Sequence, residues 1–323
     1  MTSPPRRVFI TGALGFIGGA LAERYRELGA EVRGVDFAPG AGEGVVAGDI
    51  STPGEWQRQA EGCDLVVHTA ARVSFASDWT GFREANVHGT RNALDAAARG
   101  GAERFVHFSS VVTFGIDFPD GVEERHPVRL TGVPYADTKI ASEQVVLAAH
   151  ASGELACTVV RPGDVWGPRS RPWTIVPVEL IRARRFVLPL RGRGIFSPAY
   201  IDNLVDGVVA AAGPAGAGQI FTLSDGIGVE GRDFFGRYAR MLGRRRVLTA
   251  PTPLALAGAV AAGGVWRLLR VENEANANAL RYLCRHGTYS IEKARSTLGW
   301  EPRVGLDEGM ERSERWLRET GLL

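Results

Sequence analysis

The chain has 323 residues, a formal net charge of +2, 45% hydrophobic residues and 23% charged ones. That length exceeds one ordinary core, so two lobes or one large α/β domain are expected, with the composition of a soluble globular protein. So small a net charge announces no nucleic-acid partner, and three scattered cysteines (Cys63, Cys157, Cys284) without a CxxC read as free thiols in a reducing cytoplasm.

Met1 to Arg7 runs straight into Val8-Phe9-Ile10, so no signal peptide is expected and the first strand lies at 8–10. A helix follows from Phe16 to Leu28, stopped by Gly29, and then a strand from Glu31 to Val35. Gly44 to Ile50 reads as a third strand, and Thr52-Pro53 as the cap and first residue of a short helix. Asp64–His68 (strand), Thr80–Ala98 (helix), Arg104–Ser109 (strand), Tyr135–Ala151 (helix) and Ala156–Val160 (strand) continue the alternation. Such alternation predicts an α/β fold, a parallel sheet covered by helices on both faces.

After Arg161 the pattern breaks. Pro162 to Pro172 holds three prolines and reads as a loop. Arginines 182, 184, 185, 191 and 193 cluster next, a strand-helix pair spans Ser197 to Ala212, and the rest is mostly helical, ending in Leu306–Leu317. Val247 to Trp266 carries no charge. Pro251, Pro253, Gly258, Gly263 and Gly264 interrupt it, so a buried or ligand-covering helix is expected rather than a membrane span; association with a membrane surface stays open.

Thr11-Gly-Ala-Leu-Gly-Phe-Ile-Gly18 joins the first strand to the first helix. Gly12 permits a tight turn, Gly15 close approach to a pyrophosphate, and Gly18 close helix–sheet packing. With Phe16 and Ile17 they put the free N–H groups of a helix N-terminus at the phosphates. Asp36 ends the second strand eighteen residues after Gly18, where a carboxylate accepts from the adenosine ribose hydroxyls and repels a 2′-phosphate. NAD is therefore expected over NADP, a turn acid being the plain alternative. Asp49 and Ile50, at the end of the third strand, are candidates to meet the adenine amine and ring. Thr69, Ala70 and Ala71 follow the fourth strand and leave room for the cofactor's centre, while His68 reads as a satisfied core histidine.

Only two of the 38 basic residues are lysines, Lys139 and Lys293. Lys139 stands four residues after Tyr135, where composition alone predicts about 0.04 Tyr-x-x-x-Lys pairs. On a helix such residues share a face, and an ammonium beside a phenol favours the phenolate. A surface tyrosine over an unrelated lysine is the plain alternative.

TGALGFIG, Asp36, GDI at 48–50, HTAA at 68–71, NVHGT at 86–90, HFSSVVTFG at 107–115, YADTK at 135–139 and RPGDVWGP at 161–168 together resemble the extended short-chain dehydrogenase/reductase family. PAYIDNLVDG at 198–207 and YSIEKARSTLGWEP at 289–302 extend the resemblance over nearly the whole chain. HTAA, Asn203 and the apolar segment after Pro251 are similar to the 3β-hydroxysteroid dehydrogenase-like branch. The resemblance implies a Rossmann-type doubly wound sheet with a smaller, mostly helical C-terminal substrate lobe. The expected division is 1–162 with 194–225 for the dinucleotide domain, and 163–193 with 226–323 for the lobe.

It also implies roles. Tyr135 is the general acid/base; Lys139 lowers its pKa and holds the nicotinamide ribose hydroxyls; Ser110 donates to the substrate oxygen, with Ser109 as the other candidate. Pro162, Gly163 and Val165 border the nicotinamide, and the family commonly dimerises through the helix that bears the tyrosine. Ala141, Val145, Val146 and Ala149 give that helix a small apolar stripe, which the sheet can also consume. Where the family often has tyrosine, this chain has Phe114, which suits an apolar substrate. Phe114, Trp166, Trp173 and Phe186, with Ser110, are the candidate substrate contacts, and core packing is the plain alternative for each aromatic.

The expected activity is interconversion of a secondary alcohol and a ketone on a lipophilic substrate, hydroxysteroid-like or polyketide-like, with or without rings. One alternative is a nucleotide-sugar 4-epimerase with tightly bound NAD, its diphosphate clamped by the arginines from 182 to 193. The other is a non-catalytic NAD sensor. A dehydratase is disfavoured because Val111-Val112-Thr113 contains no carboxylate, and no metal-binding pattern is present.

Overall fold

The computed structural model describes residues 4–37, 44–74, 78–258 and 277–323. Six strands come in chain order, most of them with helices between: β1 (Arg7–Thr11), β2 (Glu31–Asp36), β3 (Val45–Ala47), β4 (Leu65–His68), β5 (Arg104–Phe108) and β6 (Ala156–Pro162). With Ile220–Leu223 they form a seven-stranded sheet in the order 220–223, β6, β5, β4, β1, β2, β3, and every pairing is parallel. The strands' period of two divides the core between the faces. Val8, Ile10, Leu65, Val67, Val106, Phe108 and Val160 pack on one side, while Phe9, Val35, Val66, Phe105 and Val159 pack on the other.

Helices α1 (Phe16–Glu27) and α6 (Ile201–Ala211) cover the first face through Leu21, Ala22, Tyr25, Leu204, Val205 and Val208. The second is covered by α3 (Gly89–Gly100) and α4 (Pro134–Ala151), through Ala93, Leu94, Ala97, Val146 and Ala149. The sheet therefore consumes Val146 and Ala149 of the apolar stripe on α4, leaving Ala141 and Val145 only partly buried.

Several boundaries differ from expectation. β3 keeps three residues instead of the seven from Gly44 to Ile50, as befits an edge strand paired on one side. No helix is capped at Thr52; a 3-10 turn runs from Glu55 to Ala60 behind Gly54, whose N–H donates to the Gln57 side chain at 3.3 Å. The helix expected over 80–98 is a run of α2 (Trp79–Arg83), a π turn (Glu84–His88) and α3. The loop expected from Pro162 to Pro172 contains a strand, Asp164–Trp166, parallel to Pro198–Tyr200. The C-terminal part includes α5 (Val176–Arg182), α7 (Gly231–Met241) and helices at Ala277–Tyr282, Glu292–Leu298 and Leu306–Glu319. Much of the expected apolar segment 247–266 lies outside the described residues, and no described helix is long and apolar enough to cross a membrane.

Candidate active site

The carboxyl ends of β1, β2, β4, β5 and β6 open on one cavity of about 740 Å³. At one end lies the β1–α1 turn. Gly12 has φ +70°, and a Cβ on it would stand 3.0 Å from the Ala70 backbone nitrogen. A Cβ on Gly18 would come within 2.0 Å of the Gly12 carbonyl oxygen, so helix and turn touch only because that position has no side chain. Gly15 caps α1 with extended backbone, and Gly12, Gly15, Phe16, Ile17 and Gly18 all line the cavity.

Asp36 lines it too. Its carboxylate accepts from the N–H groups of Leu14 at 2.9 Å and Phe37 at 2.8 Å, tying β2 to the glycine turn. Asp49, Ile50, Thr69, Ala70 and Ala71 stand along the same wall. His68 is the expected core histidine: its ring nitrogens meet Thr11 Oγ1 at 2.7 Å and Thr90 Oγ1 at 3.1 Å, and burial pushes its pKa down to about 3. The turn, the carboxylate and the small residues fit a dinucleotide: an N–H cradle for phosphates, an acceptor for hydroxyls, and no bulk between them.

At the other end, α4 begins at Pro134, with Asp137 accepting from Thr131 N at 2.8 Å and Gly132 N at 3.0 Å. This start aims Tyr135 into the cavity beside Ser110, at the end of β5. Burial pushes the phenol pKa up to about 12; a hydrogen bond with Ser110 pulls it down, and the charge of Asp164 pushes it up again. Lys139, 4% exposed, donates from Nζ to the Phe108 carbonyl at 2.7 Å, and burial lowers its pKa to about 8 against the pull of Glu143. Both serines line the cavity but differ in their partners: Ser109 Oγ donates to Glu143 Oε1 at 2.5 Å, while Ser110 Oγ accepts from Val112 N at 3.3 Å.

Pro162, Gly163, Val165 and Trp173 line the cavity as expected. Phe114, Trp166 and Phe186 do not. Phe114 is buried among Phe118, Tyr289 and the Arg161 guanidinium. Trp166 packs edge-on against Tyr200 and Phe234 and donates to Asp225 at 3.3 Å. Phe186 sits on Phe235 beneath a separate surface hollow. These rings fill the layer between the sheet and the C-terminal elements, so core packing explains them. The arginines from 182 to 193 also stay outside; Arg72 is the only described arginine in the lining, and it pairs with Asp78 at 2.6 Å.

Sequence reasoning missed three features. Asp164 accepts from Tyr282 Oη at 2.6 Å and pairs with Arg285 at 2.7 Å, all deeply buried. Tyr282 lines the cavity and stacks on Trp173 with centroids 6.1 Å apart. Asn86, in the π turn, bonds both the N–H and the carbonyl of Arg72 and also Thr138 on α4. Asn86 and Asp164 lay inside quoted motifs, whereas no sequence signal marks Tyr282.

A seven-stranded parallel sheet with a glycine turn, a strand-end acid and a Ser–Tyr–Lys cluster at one edge defines a dinucleotide-dependent enzyme fold. The chain belongs to the NAD dependent epimerase/dehydratase family, whose model matches residues 8–222, and it is an enzyme of the extended short-chain dehydrogenase/reductase type. It is 31% identical to a 4-hydroxy-2-methyl-3-oxo-4-farnesyl-3,4-dihydroquinoline-1-oxide ketoreductase of Stigmatella aurantiaca, over 98% of this chain and 96% of the relative. It is 28% identical to a 3-beta-hydroxysteroid dehydrogenase of Mycolicibacterium neoaurum, over 94% of this chain and 89% of the relative, in keeping with the 3β-hydroxysteroid dehydrogenase-like branch. Among solved structures, MoeE5 in complex with UDP-glucose and NAD superposes with a TM-score of 0.76 at 25% identity, covering 97% of this chain and 99% of that one.

Proposed function

We propose that this enzyme interconverts a secondary alcohol and a ketone on a lipophilic, ring-containing substrate, using NAD. The observation that carries the proposal is the convergence of Ser110, Tyr135 and the buried Lys139 on one cavity, which Trp173 and Tyr282 also wall. When bound, the nicotinamide cofactor supplies or takes the hydride. In the reductive direction Tyr135 Oη gives its proton to the substrate oxygen, and oxidation returns it. Ser110 donates to that oxygen and stabilises its developing charge. Lys139 keeps a positive charge behind the pair, and Trp173 with Tyr282 excludes water from an apolar substrate. Asp36 is the residue proposed to select NAD over NADP, through acceptance of ribose hydroxyls and repulsion of a 2′-phosphate.

The ketoreductase and steroid dehydrogenase relatives support this substrate class. Likeness to a UDP-glucose-bound structure supports nucleotide-sugar 4-epimerisation as a second reading. Against it stands the scarcity of free cations among the described residues of the cavity: Arg72 pairs with Asp78, Lys139 donates to the Phe108 carbonyl, and the proposed diphosphate clamp lies outside. The Ser110–Tyr135–Lys139 set argues against a non-catalytic sensor. We further propose the two-lobe division given by 1–162 with 194–225 and 163–193 with 226–323, a cytoplasmic location, and a homodimer through the exposed part of α4. Tyr135→Phe is expected to lose roughly 10²- to 10⁴-fold in turnover while keeping NAD binding, read by fluorescence titration beside initial rates. Near-normal turnover in that variant overturns the assignment.

A further inference from the structure

Ten arginines lie on two stretches that contain no carboxylate side chain: 182, 184, 185, 191 and 193 between Glu179 and Asp202, and 237, 240, 244, 245 and 246 between Asp233 and Gly258. On a chain of net charge +2 this is a strong local asymmetry. The fold joins the two stretches, because Val187–Leu188 and Leu248–Thr249 pair as parallel strands. Around that pair, among the described residues, Arg184, Arg185, Arg191, Arg193, Arg245 and Arg246 make no ion pair, although 21 such pairs occur elsewhere. Apolar side chains stand out between them: Val187 is 37% exposed, its register partner Leu248 49%, and Leu254 67%. From Val247 to Gly258 the chain carries no charge at all.

We propose that this face docks on an anionic lipid surface. Exposed leucines among unpaired arginines match such a surface on both counts, with apolar side chains for the acyl boundary and cations for the headgroups. A nucleic-acid site would instead favour stacking rings, and among the described residues no aromatic side chain is exposed there; Phe186 is half-buried against Phe235. The same Phe235 reaches Trp173, 6.4 Å away, in the cavity wall, so one layer of rings separates the face from the cavity. The benefit of docking rests on the lipophilic-substrate reading, since a membrane dissolves such a substrate; the docking itself does not.

The test is flotation of the full chain with phosphatidylcholine vesicles and with phosphatidylcholine vesicles containing phosphatidylglycerol, at low and high salt, without substrate. Binding to the anionic vesicles alone is expected, weakened by salt. Arg245→Gln with Arg246→Gln is expected to weaken partitioning about fivefold per arginine, while melting and turnover of a water-soluble ketone stay at wild-type values. Leu254→Ser is expected to weaken binding with no change in its salt dependence. Equal flotation with both vesicle types, no flotation, or retention by single-stranded RNA in place of vesicles overturns the proposal. Vesicle binding by a protein that lacks oxidoreductase activity contradicts the proposed function alone.

Discussion

Lys139 holds an ammonium in the protein interior with a single carbonyl to receive its proton. Burial lowers its pKa from 10.5 to about 8, so between those values the unfolded chain keeps a proton that the folded chain has released. Stability therefore rises with pH across this window through Lys139, because the unfolded state binds more protons there. The buried thiols of Cys63 and Cys157, pushed up to about 11 and about 12, act in the opposite sense but are common to any Lys139 variant. The difference in urea unfolding free energy between the wild type and Lys139→Met is thus expected to grow in favour of the wild type as pH rises above 8. Parallel profiles contradict the buried-cation account. Burial raises the pKa of Tyr135, and Ser110 pulls it down.

Just past the end of β5, two adjacent serines in the cavity lining take different partners, as alternate residues of extended backbone do. Ser109 donates to Glu143, whose side chain meets Arg161 at 2.7 Å, whereas Ser110 Oγ accepts from Val112 N and is proposed to serve the substrate oxygen beside Tyr135. Ser109→Ala is expected to cost about 1–3 kcal/mol in chemical denaturation with turnover largely kept, since a buried carboxylate loses a donor. Ser110→Ala is expected to lose turnover at nearly unchanged stability. A reversal of these phenotypes would exchange the two roles. The ends of β2, β4 and β5 were legible in the sequence because apolar runs stop there at small or polar residues, Asp36, Thr69 and Ser109. The strand at Asp164–Trp166 was hidden by flanking prolines and glycines, which read equally well as a loop. Phe114, Trp166 and Phe186 were assigned to the substrate from their position in the chain, which does not distinguish a ring lining a cavity from one buried beneath it.

Across the whole molecule, the buried ion pair of Asp164 and Arg285 joins residues 121 apart in sequence. It fixes Tyr282, and with it one wall of the cavity, to the chain leaving β6. No motif links those positions, so only the folded chain reveals the connection. Arg285→Leu strands a buried carboxylate and is expected to destabilise by about 3–5 kcal/mol, read as a lower thermal midpoint. An unchanged midpoint contradicts the pair's role. In an oxidoreductase the hydride leaves the enzyme with a product, whereas in an epimerase it returns to the same molecule. The most direct measurement is NADH formation by the purified protein with added NAD and a lipophilic ring-containing secondary alcohol, beside a determination of how much NAD copurifies. Exchangeable NAD and net NADH formation are the predicted result. Tightly retained NAD, no net NADH and interconversion of epimeric UDP-sugars would contradict it.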